Sequence, residues 1–175
     1  EKETLAVQRV LGSEWLTAGH EVLQFEKEFS SYIEHQSSGI FVSSATAGLH
    51  LILLALGVGV GDEVILPAVT FVSDANVILQ CGAKPVFADS VSVFDFSVSV
   101  DGILKQINHK TKAVIIVHFA GYPMDLRMLR QVCDEKGIAL IEDCAHSPGA
   151  RISGVSTGSV GHFSFFSFFS KKNLA

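Results

Sequence analysis

The chain has 175 residues, 48% of them hydrophobic and only 18% charged, with a formal net charge of −5. So apolar a composition is high for one free-standing domain of this length and is expected of the inside of something larger, a fragment cut at both ends. The acidic balance argues against nucleic acid as a partner, because no Lys/Arg cluster beyond Lys171 and Lys172 offsets it.

Apolar positions at helical spacing predict helices over 3–11 and 20–34, joined by the connector WLTAG at 15–19. An alternating rhythm follows. Strands are predicted at 39–43, 63–66, 84–88, 112–118 and 138–142, with the aromatic run from Phe163 as the last strand, and helices at 46–56, 71–80, 101–107 and 125–136. Strands alternating with helices of about ten residues imply crossover connections, hence a mostly parallel sheet in a three-layer α/β/α arrangement with ligands beyond the carboxyl ends of the strands. Cys81, Cys133 and Cys144 lack the spacing of zinc or redox sites, so they read as reduced core residues with no metal expected, as in a cytoplasm. The most apolar stretch, 49–60, is too short to span a bilayer.

Three constellations fall at strand ends. SSATAG at 43–48 opens a helix with small residues, which suits a phosphate at the helix N-terminus and equally suits an ordinary cap by Ser44 or Thr46. EDCAH at 142–146 puts Asp143 at the mouth of a buried strand, where an acid is costly unless it meets a cation or a ligand proton. Asp143 therefore suits a protonated ring nitrogen and His146 a neighbouring ring oxygen, although a turn cap and a loop histidine are open to them as well. Phe71, after PAVT at 67–70, suits stacking on a planar ring or simple core packing. Add the hydroxyl of Ser167 and the amine of Lys171 or Lys172, and the parts are those of a pyridoxal 5′-phosphate (PLP) site.

The motifs WLTAG (15–19), SSATAGLH (43–50), GDEVILPAVTFV (61–72), CGAKPVFAD (81–89), KTKAVIIVHFAG (110–121), IEDCAHSPGA (141–150) and FSFFSKKNLA (166–175) resemble, over essentially the whole chain, the DegT/StrS group of PLP-dependent nucleotide-sugar aminotransferases of the aspartate aminotransferase-like fold type I. The resemblance implies the N-terminal part of the large PLP-binding domain, with a helical segment over 1–36, an alternating core over 37–175 and the small C-terminal domain absent. It assigns Thr46, Ala47 and Ser167 to the cofactor phosphate, Phe71 to the pyridine face, Asp143 to the pyridinium nitrogen, His146 to the side of the phenolic oxygen and Lys172, not Lys171, to the Schiff base. It further implies transfer of an amino group, with glutamate as the expected donor, to a keto group of a nucleotide-linked sugar, in a homodimer whose partner lends residues to the site. A PLP-binding regulatory homologue without turnover and a PLP-dependent sugar dehydratase are the alternatives; relatives of the latter kind carry histidine where this chain has Lys172. A dinucleotide-binding domain is excluded, since no GxGxxG follows an early strand.

Overall fold

The computed structural model describes residues 1–13, 15–34 and 38–174. The junction expected between 36 and 37 lies outside them. The chain forms two units, Glu1–Phe41 and Val42–Ala175.

The first unit holds α1 (Lys2–Leu11) and α2 (His20–Ile33). The connector between them is held locally: Trp15 Nε1 donates to the Ala18 carbonyl at 3.0 Å, and the indole lies so close to Gly19 that a Cβ there would meet it at 2.6 Å. On α2, Phe25 stacks on Phe29 and meets Phe41 edge-on. Residues 39–43, expected to be a strand, are irregular. Ile40 is 83% exposed, and the Phe41 N–H donates to the Glu26 carboxylate at 2.7 Å rather than to a ladder. Among the described residues the run has no neighbouring strand, so it forms no ladder.

The second unit is built on a five-stranded parallel sheet of order β2-β1-β3-β4-β7, with β1 at Glu63–Pro67, β2 at Lys84–Ala88, β3 at Thr111–Val117, β4 at Ala139–Asp143 and β7 at Phe163–Phe165. Helices α3 (Ala45–Ala55), α4 (Val72–Gln80), α5 (Val100–Gln106) and α6 (Arg127–Lys136) connect or flank the strands. Side chains alternate across the sheet as the pleat requires. Val64, Leu66, Ala113, Ile115, Ala139, Ile141 and Phe165 face one layer with Leu49 and Leu53 of α3 and Val77 and Ile78 of α4. Ile65, Val114, Ile116 and Leu140 face the other, with Ile103 of α5 and Leu129 and Cys133 of α6. This is the expected α/β/α sandwich.

Local chemistry sets the ends of the elements. The Ser44 side chain accepts the Ala47 N–H at 3.1 Å and so caps α3. Helix α6 stops at Gly137, whose φ of 65° lets the Ile138 N–H return to the Cys133 carbonyl at 2.9 Å, closing a Schellman turn that leads straight into β4. The aromatic run pairs only over Phe163–Phe165, because its partner β4 ends at Asp143, opposite Phe165. The last rung is the Cys144 N–H to the Phe165 carbonyl at 2.9 Å. Sequence reading also missed a small hairpin, β5 (Arg151–Ile152) and β6 (Val155–Ser156), turned by Ser153 and Gly154 at φ 50° and 81°, and a single 3₁₀ turn at Phe119–Gly121.

The sheet order reverses between β1 and β3: the crossover from β1 leads outward to β2, and the next returns past β1 to β3. A crevice at the carboxyl ends of strands on either side of such a reversal is where open α/β sheets bind ligands.

Candidate active site

Asp143 is the last residue of β4 and is 4% exposed. One of its oxygens accepts the Ala145 N–H at 2.8 Å. Its carboxyl is also within hydrogen-bonding contact of a second acid that sequence reading did not single out, Asp74, in the first turn of α4 and 1% exposed. Burial and the Asp74 charge push Asp143 up to about 7, against the Ala145 N–H and the positive charge of Lys172. Burial likewise raises Asp74, although hydroxyls restrain it: Thr70 Oγ1 donates to it at 2.5 Å and Ser73 Oγ at 3.4 Å. Two carboxyls this close cannot both ionise readily.

Lys172 is half-buried and close enough for its charge to act on both Asp143 and His146, whereas Lys171 beside it is exposed. The turn that carries it is fixed by the Lys172 N–H to the Phe169 carbonyl at 2.7 Å and by Asn173 Nδ2 to the His146 carbonyl at 3.1 Å. Burial, then Lys172, lower the His146 imidazole below its ordinary value, so it is neutral near pH 7. Its Nδ1 is buried without a hydrogen-bond partner, an arrangement that costs about 1–3 kcal/mol unless a ligand completes it. The ring meets Phe119 edge-on at 6.3 Å, and Phe119 in turn meets Phe96 at 5.6 Å. Gly121, at φ 86°, comes so close to the His146 carbonyl that a Cβ would sit 2.9 Å from it.

Ser167 lies two residues beyond β7 and is buried. Thr46 and Ala47 are half-buried in the first turn of α3, which packs on β7: a Cβ on Gly48 would lie 3.8 Å from Phe165 Cβ. The Ser44 cap occupies only the Ala47 N–H, so capping and an additional anion contact at this helix start are compatible. Phe71 precedes α4 and is 66% exposed. It is not a core residue, and its ring is free to cover a flat ligand.

The acid next to Asp143 has a different place. Glu142 points to the other face of the sheet, where it is 1% exposed and meets His118 Nε2 at 2.8 Å. Its two oxygens also accept the N–H groups of Gly158, Val160 and Gly161 at 2.5–2.9 Å. Burial alone would raise this carboxyl; His118 and the Gly161 and Gly158 N–H groups outweigh it and hold the pKa below the ordinary value. His118 Nδ1 accepts the Met124 N–H at 3.1 Å, so Nε2 carries the ring proton. Cys144 completes a compact His118–Glu142–Cys144 group, but both Glu142 oxygens are filled by donors and burial pushes the Cys144 thiol well up. It is a hydrogen-bonded core cluster rather than a ligand set.

A buried acid for a ring nitrogen, a neutral histidine with an orphaned nitrogen, a half-buried amine and a free helix start suit PLP in charge and donor type. No helix among the described residues is long and apolar enough to cross a membrane. The chain is 42% identical over 165 residues to the GDP-perosamine synthase of Vibrio cholerae, an alignment that covers 94% of this chain and 44% of that protein. Its fold superposes on Spr1654 from Streptococcus pneumoniae, solved in PLP and PMP forms, with a TM-score of 0.92 in each at 34% identity, covering 99% of this chain and 47% of that one. It superposes equally on an aminotransferase from Psychrobacter cryohalolentis, with a TM-score of 0.92 at 35% identity over 100% of this chain and 44% of the other. The chain thus spans a little under half the length of the relatives it matches. The description that fits all 175 residues is that of the DegT/DnrJ/EryC1/StrS aminotransferases, and the chain belongs to that family.

Proposed function

We propose that this chain carries the cofactor-holding part of a PLP-dependent sugar aminotransferase, which moves an amino group from an amino acid, glutamate in our reading, to a keto group of a nucleotide-linked sugar. The observation that carries the proposal is the convergence of Lys172 on Asp143 and His146 at the carboxyl edge of the sheet. When bound, the cofactor supplies an aldehyde that accepts amines and a ring that takes up the electron pair released at the neighbouring carbon.

Lys172 Nζ is the amine that attaches the cofactor. Once an amino donor displaces it, the freed amine takes the proton from the donor's α-carbon and returns it one carbon away, as base and then acid. Asp143 holds the proton on the ring nitrogen, and its burial strengthens that contact. His146 is assigned to the side of the ring oxygen, a role its neutral ring with an unpartnered Nδ1 supports. Ser167, Thr46 and Ala47 are assigned to the phosphate, and the exposed ring of Phe71 to the pyridine face. The working unit in this reading is a cytoplasmic homodimer.

Borohydride reduction of the full-length protein after PLP addition, followed by peptide mapping, tests the proposal. A stable adduct on Lys172 that is lost in Lys172→Ala is expected. An adduct on Lys171, or none, refutes the assignment. A panel of nucleotide keto-sugars assayed with glutamate then separates transamination from binding without turnover.

A further inference from the structure

We propose that Asp74 is a positioning residue for Asp143: the two buried carboxyls hold one proton between them, and that shared proton fixes the Asp143 carboxyl toward the ring nitrogen of the cofactor. The positioning half of this rests on the assignment of Asp143 to the ring nitrogen; the shared proton does not.

The geometry leaves little choice. Asp74 and Asp143 come from different elements, the first turn of α4 and the end of β4, and are 1% and 4% exposed. Their carboxyls are in hydrogen-bonding contact, and a bond between two carboxyls requires a proton on one of them. The groups around the pair do not neutralise two negative charges. Among the described residues Asp74 meets the hydroxyls of Thr70 and Ser73 besides Asp143. Asp143 meets the Ala145 N–H, the field of Lys172 from the segment after β7, and the neighbouring Cys144 thiol, which burial keeps protonated. One cation balances two buried acids only if the pair retains a proton; with both ionised, a buried negative charge is left over. With one Asp143 oxygen on the Ala145 N–H and the carboxyl tied to Asp74, its rotation is locked before any ligand arrives. A pyridinium N–H then meets an oriented acceptor and no second free anion.

Infrared spectra of the full-length protein stripped of cofactor test the proton. At neutral pH the wild type is expected to show the C=O band of a protonated carboxyl, which disappears in both Asp74→Asn and Asp143→Asn. Absence of the band from the wild type, or its persistence in both variants, overturns the proposal. Glu142 does not confuse the reading, because its pKa is held low.

Cofactor dissociation constants test the positioning. Asp74→Ala is expected to weaken PLP about tenfold or more, the effect of losing a hydrogen bond to a charged group. Asp74→Asn keeps an amide donor toward Asp143 and an acceptor toward Thr70, and should restore affinity to within about threefold, since one neutral bond replaces another. A PLP analogue with carbon in place of the ring nitrogen should bind wild type and Asp74→Ala alike. Equal weakening toward both compounds would mark a merely structural role and overturn the proposal. If Asp143→Asn binds PLP as tightly as wild type, the ring-nitrogen assignment itself is refuted, and the infrared band still decides the shared proton independently.

Discussion

Replacing Glu142 by glutamine changes one atom and should cost the second unit about 2–6 kcal/mol, the penalty of leaving two buried hydrogen-bond donors without acceptors. The structure shows where the loss arises. One Glu142 oxygen accepts from Val160 and Gly161, the other from Gly158 and His118. A glutamine has one acceptor, so whichever way the amide is turned its NH₂ faces two donors. Moving the His118 proton does not help, because Nδ1 must stay free to accept from Met124. Two buried donors left without partners at about 1–3 kcal/mol each give that loss. Against a total stability of about 5–15 kcal/mol, the variant is marginal. Urea unfolding followed by circular dichroism at pH 7 measures it. The lowered Glu142 pKa also fixes the pH dependence: its contribution is present above the unfolded value of about 4.3 and lost as pH falls through the folded value, so the gap between wild type and variant should narrow in acid. A loss under about 1 kcal/mol at pH 7, the range of ordinary substitutions, or a gap that widens in acid, would refute this account of the cluster.

Asp143→Asn has the opposite pH signature. A folded pKa of about 7 lies above the unfolded value of about 3.9, so the folded state binds the proton more tightly and the wild type loses up to about 4 kcal/mol as pH rises from 4 through 7; cofactor-free Asp143→Asn should gain on wild type across that window in urea titrations, and a constant difference would contradict the raised pKa. Phe71→Ala should leave the unfolding midpoint within about 0.5 kcal/mol of wild type, as expected for an exposed side chain, while weakening PLP binding measured by fluorescence quenching; a large stability loss would return Phe71 to the core. Gly121→Ala forces a Cβ against the His146 carbonyl in a backbone conformation that alanine resists, and should weaken PLP by moving His146, with the change visible in the imidazole resonances. A thiol reagent should label half-buried Cys81 in the native protein and reach Cys133 and Cys144 only on unfolding, because both are buried with raised pKa values; native labelling of Cys144 would contradict the packing.

The sheet was readable because buried parallel strands are continuous apolar runs and their crossover helices are periodic. That logic fails where pairing depends on a distant neighbour. Residues 39–43 look like a strand but have none beside them among the described residues, and the run from Phe163 keeps its strand composition past the point where β4 stops. The two-residue strands of the hairpin near Gly154 are too short to leave any period. In the site, Asp143 and His146 stood out because polar residues after an apolar strand need a reason. Asp74 did not, since an acid in the first turn of a helix is ordinary chemistry. Only the fold reveals that it is buried against Asp143. Likewise the choice between Lys171 and Lys172 came from the resemblance, and the difference in their burial is a tertiary property that no local pattern records.

The pair Glu142-Asp143 shows how one strand end serves two purposes. Successive residues of a strand point to opposite faces, and the two layers of this sheet differ: the face of Ile141 looks toward α3 and α4, that of Leu140 toward α5 and α6. Asp143 therefore continues the first row and meets Asp74 of α4, on the side where α3 begins. Glu142 continues the second and ties down the segment over 158–161 that leads into β7. Because β7 is followed by Ser167 and Lys172, the structural acid sets the path of the chain that delivers the amine, and the acid beside it meets that amine's charge across the sheet edge. A register slip of one residue in β4 would exchange the two faces. It would place Glu142 among the apolar residues of α3 and α4 and leave the N–H groups of 158–161 without an acceptor, so the hydrogen bonds that hold the core also enforce the register on which the site depends.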